Sequence, residues 1–342
     1  MVPWSERPVT VGLAGAACIS SSAVLMRLAD SSAGATALFR CLFALPVLGA
    51  LALLERRAGV RLPARNRWLA RLSGVFFAGA LILWSPAITA IGAGLSTVLT
   101  NLQVLMVPPL AWLISRERPR RPLLLALPVM LAGVALIAGL GGSHTYGAHP
   151  LEGVAYGVMC SAMYAGFIIV MQRATVPEPG GDGRAPVAQP LYEATLGATV
   201  SSLGYSVALG EFHLGPAWPA LGWLALLAIT SQVIGWLLIT VSMPRLPSGI
   251  VAALLLVQPA GAVALSAAAL RERPSPEQLA GVLLVLAGVF IAARGAAAEQ
   301  GAAGQSRAGQ SRAAEQARPT RTSVMMPQDD AAVVAHARIV DN

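Results

Sequence analysis

Ten uninterrupted apolar stretches, each long enough to carry a helix across a bilayer, constrain this chain more than any other feature. A helix rises 1.5 Å per residue, so a hydrocarbon core of about 30 Å needs roughly 20 apolar residues. Stretches of that kind fall at 9–29, 35–54, 70–90, 93–115, 121–140, 150–172, 189–210, 217–243, 247–270 and 277–293. Leu, Ala, Val and Gly fill every position in them, without the period of two that a membrane β-barrel strand shows. Only 12% of the 342 residues are charged, against about 25% in an ordinary soluble domain. The expected fold is an all-α integral membrane bundle of ten transmembrane helices. The first stretch is too long for a cleavable signal peptide and has nine successors, so it is expected to stay attached.

All 24 basic residues are arginine. They cluster in alternate linkers: Arg56, Arg57, Arg61, Arg65, Arg67 and Arg71 after the second stretch, and Arg116, Arg118, Arg120 and Arg121 after the fourth, with none after the third, fifth and seventh. The positive-inside rule places the arginine-rich linkers, and with them both termini, in the cytoplasm. Arg27, Arg271 and Arg273 fall on the opposite side.

The charged tetrapeptide RERP occurs at 116–119 and again at 271–274. The offset, 271 minus 116, is 155 residues, and in that ungapped frame Leu131-Ala132-Gly133-Val134 falls on Leu286-Ala287-Gly288-Val289, Gly94 on Gly249 and Gln103 on Gln258. The chain reads as a duplication, with repeats over 9–143 and 150–294 and a disordered cytoplasmic tail over 295–342. Five spans per repeat, an odd number, force the second copy to enter the membrane in the opposite sense, the inverted-repeat plan of many secondary transporters. Each RERP is expected to end a helix at its proline and to anchor that end in water without touching substrate.

These residues carry a resemblance. The five-plus-five plan, the R-E-R-P that closes a long helix with a central glutamine, the LAGV helix that follows and Arg40 in ATALFRCLF resemble EamA-domain permeases of the drug/metabolite transporter superfamily. The resemblance covers 9–294 and is strongest over 87–139 and 242–294. It implies a ten-helix exporter or importer of small metabolites in a bacterial inner membrane, with a central cavity lined largely by spans three, four, eight and nine. Two departures stand out: Glu193 occupies the second-half position matching Arg40, and the linker over 177–190 is long and rich in Pro and Gly.

Few polar groups lie deep inside the spans, and each has more than one reading. Arg40 and Glu193 either meet as a buried ion pair, face the cavity separately, or snorkel to the headgroups. Glu193 is the carboxylate that would serve proton coupling. Gln103 and Gln258, with Asn101 nearby, offer donors and acceptors suited to a polar, uncharged substrate group, or else hydrogen-bond neighbouring helices. Pro86, Pro108, Pro109, Pro244, Pro247 and Pro259 lie in or beside the same spans and would break helices at matching depth. Trp84 and Trp236 either wall the cavity or pack; the other tryptophans read as interfacial anchors.

Other chemistry finds little support. A chain without lysine has no Walker A loop, so it is not expected to hydrolyse ATP. His144, His149, His213 and His336 lie in predicted loops or the tail, which leaves no intramembrane base for a protease. Cys18, Cys41 and Cys160 lack metal or disulfide spacing. No cofactor, metal or nucleic acid is expected; the partners are the bilayer and a small-molecule substrate. The leading expectation is a secondary transporter working by alternating access. A polytopic membrane enzyme acting on a lipid-linked substrate and a subunit of a larger transporter are the alternatives.

Overall fold

A computed structural model describes residues 8–115, 121–140, 146–175, 186–210, 218–242, 246 and 248–292. The first RERP and the 295–342 tail lie outside the described residues. All regular structure among the described residues is helical. The helices are α1 (Pro8–Ser20), α2 (Ser22–Ala29), α3 (Ala33–Arg57), α4 (Ala64–Ile91), α5 (Ala93–Thr100), α6 (Gln103–Ser115), α7 (Arg121–Ile137), α8 (Pro150–Ala174), α9 (Ala188–Ala208), α10 (Ala220–Leu227), a π-helical segment (Ala228–Gly235), α11 (Trp236–Ser242), α12 (Ser248–Leu270) and α13 (Pro276–Ala292).

Five helical stretches are long and apolar enough to cross a membrane: Pro8–Ala29, Ala33–Arg57, Ala64–Ile91, Pro150–Ala174 and Ala220–Ser242. Shorter apolar helices include Leu124–Ile137, Leu256–Leu270 and Pro276–Ala292. Helix α9 is more polar, and it turns that polarity inward: Gln189, Glu193, Thr195, Thr199, Ser202 and Ser206 are buried while Val200 and Val207 are exposed. Leu125 and Leu283 are each 68% exposed, an outward apolar surface that suits lipid and would be a liability in water.

The expected boundaries hold to within a few residues except at Ala64, where the helix starts six residues before the predicted 70. Pro63 precedes its first residue, and arginine is a good helix former, so the helix runs on through RNRW beyond the apolar stretch. The proline expectation also needs correction. Pro86 and Pro259 sit inside continuous helices. The interruptions fall instead at Ser21, at Asn101–Leu102 and in the π-helical segment. At Asn101 the backbone shifts to short-range bonds, Asn101 N to Val98 O and Leu102 N to Leu99 O, and the Ser161 hydroxyl donates to Leu99 O at 2.6 Å.

The duplication is visible in the helix starts. Ala33 and Ala188 (188 minus 33), Ala93 and Ser248 (248 minus 93), and Arg121 and Pro276 (276 minus 121) each begin helices 155 residues apart. The two copies interlock: α4 packs along α8 and α9, α3 along α9, α1 against α12, and α12 against α5. The LAGV helices meet each other. A Cβ on Gly133 would strike Gly281 O and Val285, and one on Gly288 would strike Met130 and Ala126 O. Under the 155-residue offset Gly133 maps to Gly288, Val285 to Met130 and Gly281 to Ala126, so each contact is the counterpart of the other. Later residues of α7 meet earlier residues of α13, Ile137 beside Gly281 and Met130 beside Gly288; the pair runs antiparallel.

Two carboxylates tie helix starts of the second and first copies to the opposite copy. Glu55, near the end of α3, accepts from the backbone N–H groups of Val187, Ala188 and Gln189 at 3.0, 2.8 and 3.0 Å. Glu272 accepts from Ala93 N at 2.7 Å and Gly94 N at 3.2 Å. Both meet the first N–H groups of a helix, which have no intrahelical acceptor and carry the positive end of its dipole. The second RERP is therefore no solvated anchor: Glu272 is 5% exposed, drawn inward because those N–H groups need an acceptor where water is scarce. Gln278 does similar work in the first turn of α13. Its fully buried amide accepts from Tyr146 N and Ser275 N and donates to Ile137 O and Tyr146 O. Gln278→Leu strands these groups and is expected to cost about 2 kcal/mol, read as a lower Tm of the purified protein.

Candidate functional site

The helix break at Asn101 brings polar residues of several helices together. A cavity there is lined by Ile19 and Ser22 from α1 and α2, Ala80, Leu81 and Trp84 from α4, Thr100, Asn101 and Gln103 around the break, Cys160 and Tyr164 from α8, and Gln258 from α12. Its room for the centres of water-sized molecules is about 40 Å³, several times the ~10–15 Å³ that one water needs. Residues of both repeats contribute.

Its walls carry polar atoms that the protein leaves unsatisfied. Ser22 Oγ, Trp84 Nε1 and Gln103 Oε1 are buried with no hydrogen-bond partner. Such atoms are rare in folded proteins because each costs desolvation energy; here three belong to residues that line one cavity. Asn101 is 5% exposed and spends its amide N–H on Thr97 O at 2.9 Å. The Gln258 backbone carbonyl is held by the Ser20 hydroxyl at 3.0 Å, which fixes α12 against α1 at the cavity edge.

Of the residues singled out in the sequence, Gln103, Gln258, Asn101 and Trp84 come together here. Trp236 does not line the cavity: it stacks on Tyr164 with ring centroids 6.4 Å apart and meets Phe167 edge-on at 5.8 Å. Of the spans expected to form the wall, three, four and nine line this cavity. The first and sixth spans contribute Ile19, Ser22, Cys160 and Tyr164, and the π-helical eighth stays behind Tyr164.

Arg40 and Glu193 do not meet. Glu193 accepts from Arg71 Nε at 2.6 Å, with the arginine side chain half exposed and the glutamate side chain 8% exposed. The reason is register: α3 and α9 run antiparallel, so Glu193 lies near the end of the pair where α4 begins and Arg71 is available. Arg40, 3% exposed, donates from Nε to Gln232 Oε1 at 3.3 Å and from Nη1 to Met26 Sδ at 3.9 Å, and lies 5.8 Å above the Phe77 ring. Gln232 in turn donates to Thr195 Oγ1 at 3.3 Å. Sequence reasoning missed Gln232. The signal was present, since TSQVIG interrupts an otherwise apolar span and π-helical turns recur at functional sites.

A model of the EamA-like transporter family matches the chain twice, over residues 7–139 and 151–294, the same two halves that the helix starts define. A solved crystal structure, described only as that of a protein, superposes with a TM-score of 0.55 at 17% identity, covering 84% of this chain and 96% of the other; the likeness is one of fold. No curated protein matches. With two family-model matches on two halves of a multi-pass apolar helical fold, the chain belongs to the EamA-like transporter family.

Proposed function

We propose that the chain is a secondary transporter that exports small polar metabolites or drugs across a bacterial inner membrane, with both termini cytoplasmic and ten spans arranged as two inverted five-helix repeats. The observation that carries this reading is the cluster of Ser22 Oγ, Trp84 Nε1 and Gln103 Oε1, three unpartnered buried atoms around one cavity built from both repeats. A substrate supplying an acceptor to the indole N–H and a donor to the amide oxygen would satisfy what the protein does not. The antiparallel pairing of matched positions in α7 and α13 supports the inversion. Alternating access then amounts to rocking one copy against the other around the cavity.

The test is an untargeted metabolite comparison of cells and medium with and without the protein. The expected result is at least one small polar compound whose medium-to-cell ratio rises with the wild type and falls back about tenfold with Trp84→Phe combined with Gln103→Leu, the loss of two hydrogen bonds at about 0.5–1.5 kcal/mol each. No redistribution would remove the transporter reading, and a new product without redistribution would favour a membrane enzyme. Glu193 is held by Arg71 away from the cavity walls. Proteoliposomes carrying Glu193→Gln under an imposed pH gradient decide its part: a lost response assigns proton coupling to it, and an unchanged one leaves the ion pair as a brace.

A further inference from the structure

Among the described residues, no carboxylate pairs with the buried cation of Arg40. The described residues offer its five N–H donors one amide oxygen and one thioether sulfur, a weak acceptor. The ionisable groups that act on it electrostatically are Cys41 and Tyr164, a thiol and a phenol that are uncharged at neutral pH. Its sequence counterpart Glu193 is taken by Arg71. Arginine in a membrane interior is costly and by default marks a functional position with a partner. A cation–π contact with Phe77 offsets part of the cost but supplies no negative charge.

The guanidinium lies one helical turn behind the cavity wall, not on it. Met26, which it touches, is one helical turn from Ser22; Phe77, beneath it, is one turn from Leu81; and Ser22 and Leu81 both line the cavity. Tyr164 belongs to both places, lining the cavity and meeting Phe77 edge-on at 6.2 Å. The Tyr164 ring is held by packing against Phe77, Phe167 and Trp236 and against the apolar core around them.

We propose that Arg40 is the anion subsite of this cavity and that the transported compounds are monoanions, a carboxylate joined to a polar or aromatic body. The inference rests on the cavity reading and narrows its substrate class. The body sits among Trp84, Gln103 and Gln258, and the carboxylate reaches past Tyr164 to the free guanidinium N–H groups. One guanidinium, held from behind by Gln232, matches one carboxylate in charge and in its paired donors.

The probe is a panel of small carboxylates, each beside its uncharged amide: benzoate and benzamide, phenylacetate and phenylacetamide, indole-3-acetate and indole-3-acetamide. Binding is read from the ligand-dependent Tm of the full chain in nanodiscs. The wild type is expected to bind at least one carboxylate about tenfold or more tightly than its amide, the usual worth of a charge-assisted hydrogen bond. Arg40→Gln should erase that preference. Because loss of Arg40 also disturbs packing, Gln232→Glu is the decisive variant. It supplies the missing negative charge, so the ligand-free protein should keep or raise its Tm while the carboxylate preference disappears. A panel in which no carboxylate outbinds its amide overturns the subsite, as does a preference that survives Gln232→Glu. Trp84→Phe with Gln103→Leu separates this inference from the one beneath it. Equal weakening of both members of a pair upholds the cavity, whereas a carboxylate preference with no effect of the double variant leaves the anion subsite standing and sinks the cavity reading.

Discussion

Glu272→Ala is expected to lower the stability of the purified protein by about 3 kcal/mol, from two charge-assisted hydrogen bonds and the dipole of one helix end. Both carboxylate oxygens are engaged, on Ala93 N and Gly94 N, and at 5% exposure water does not replace them. Gly92 is fitted to the same contact: its φ is +90°, and a Cβ there would lie 2.8 Å from the Glu272 carboxyl carbon. Gly92→Ala should therefore reproduce part of the loss although it removes no hydrogen-bonding group. Thermal unfolding followed by tryptophan fluorescence checks both. Wild-type stability in Glu272→Ala would show that α5 is held by its packing alone.

Gly74→Leu is expected to abolish accumulation of folded protein. Helices α4 and α9 cross with their backbones in contact: a Cβ on Gly74 would meet Ala194 O and Ala198 N, and one on Gly197 would meet Arg71 O. Close approach of this kind drives helix association in membranes, where apolar side chains gain nothing by leaving lipid. Even Gly74→Ala should cost about 2 kcal/mol, because overpacking at a backbone contact has no rotamer to relieve it. Gly204→Ala on the same α9, with open space around it, should change nothing measurable. Size-exclusion profiles of the three variants from equal cultures separate these outcomes.

Hydrophobic runs made the helical architecture legible, and the repeat in RERP and LAGV made the pairing of the halves legible, because both signals are one-dimensional. The cavity amides were legible for a similar reason: a glutamine in an apolar span has few inexpensive fates. Partner choice was not. Opposite charges at matched positions left open whether Arg40 meets Glu193; away from their crossing point antiparallel helices carry equivalent positions apart, and Arg71 from another helix takes the glutamate. The role of Glu272 was hidden too. A glutamate beside arginines and a proline looks like a water-boundary cap, and only the fold shows that unsatisfied N–H groups of α5 wait within its reach. The π-helical turn that brings Gln232 to Arg40 has no reliable signature beyond one polar interruption.

The meeting of Gly133 with Val285 and of Gly288 with Met130 has an evolutionary corollary. A surface on which each contact is the counterpart of the other is self-complementary, so an ancestral gene encoding a single copy would have specified both sides of the contact at once. Such a subunit, inserting in either orientation, could assemble with its own reversed twin. Fusion would then have freed each side to diverge, and the present differences between counterparts, Met130 against Val285 and Ala126 against Gly281, are what remains of that freedom.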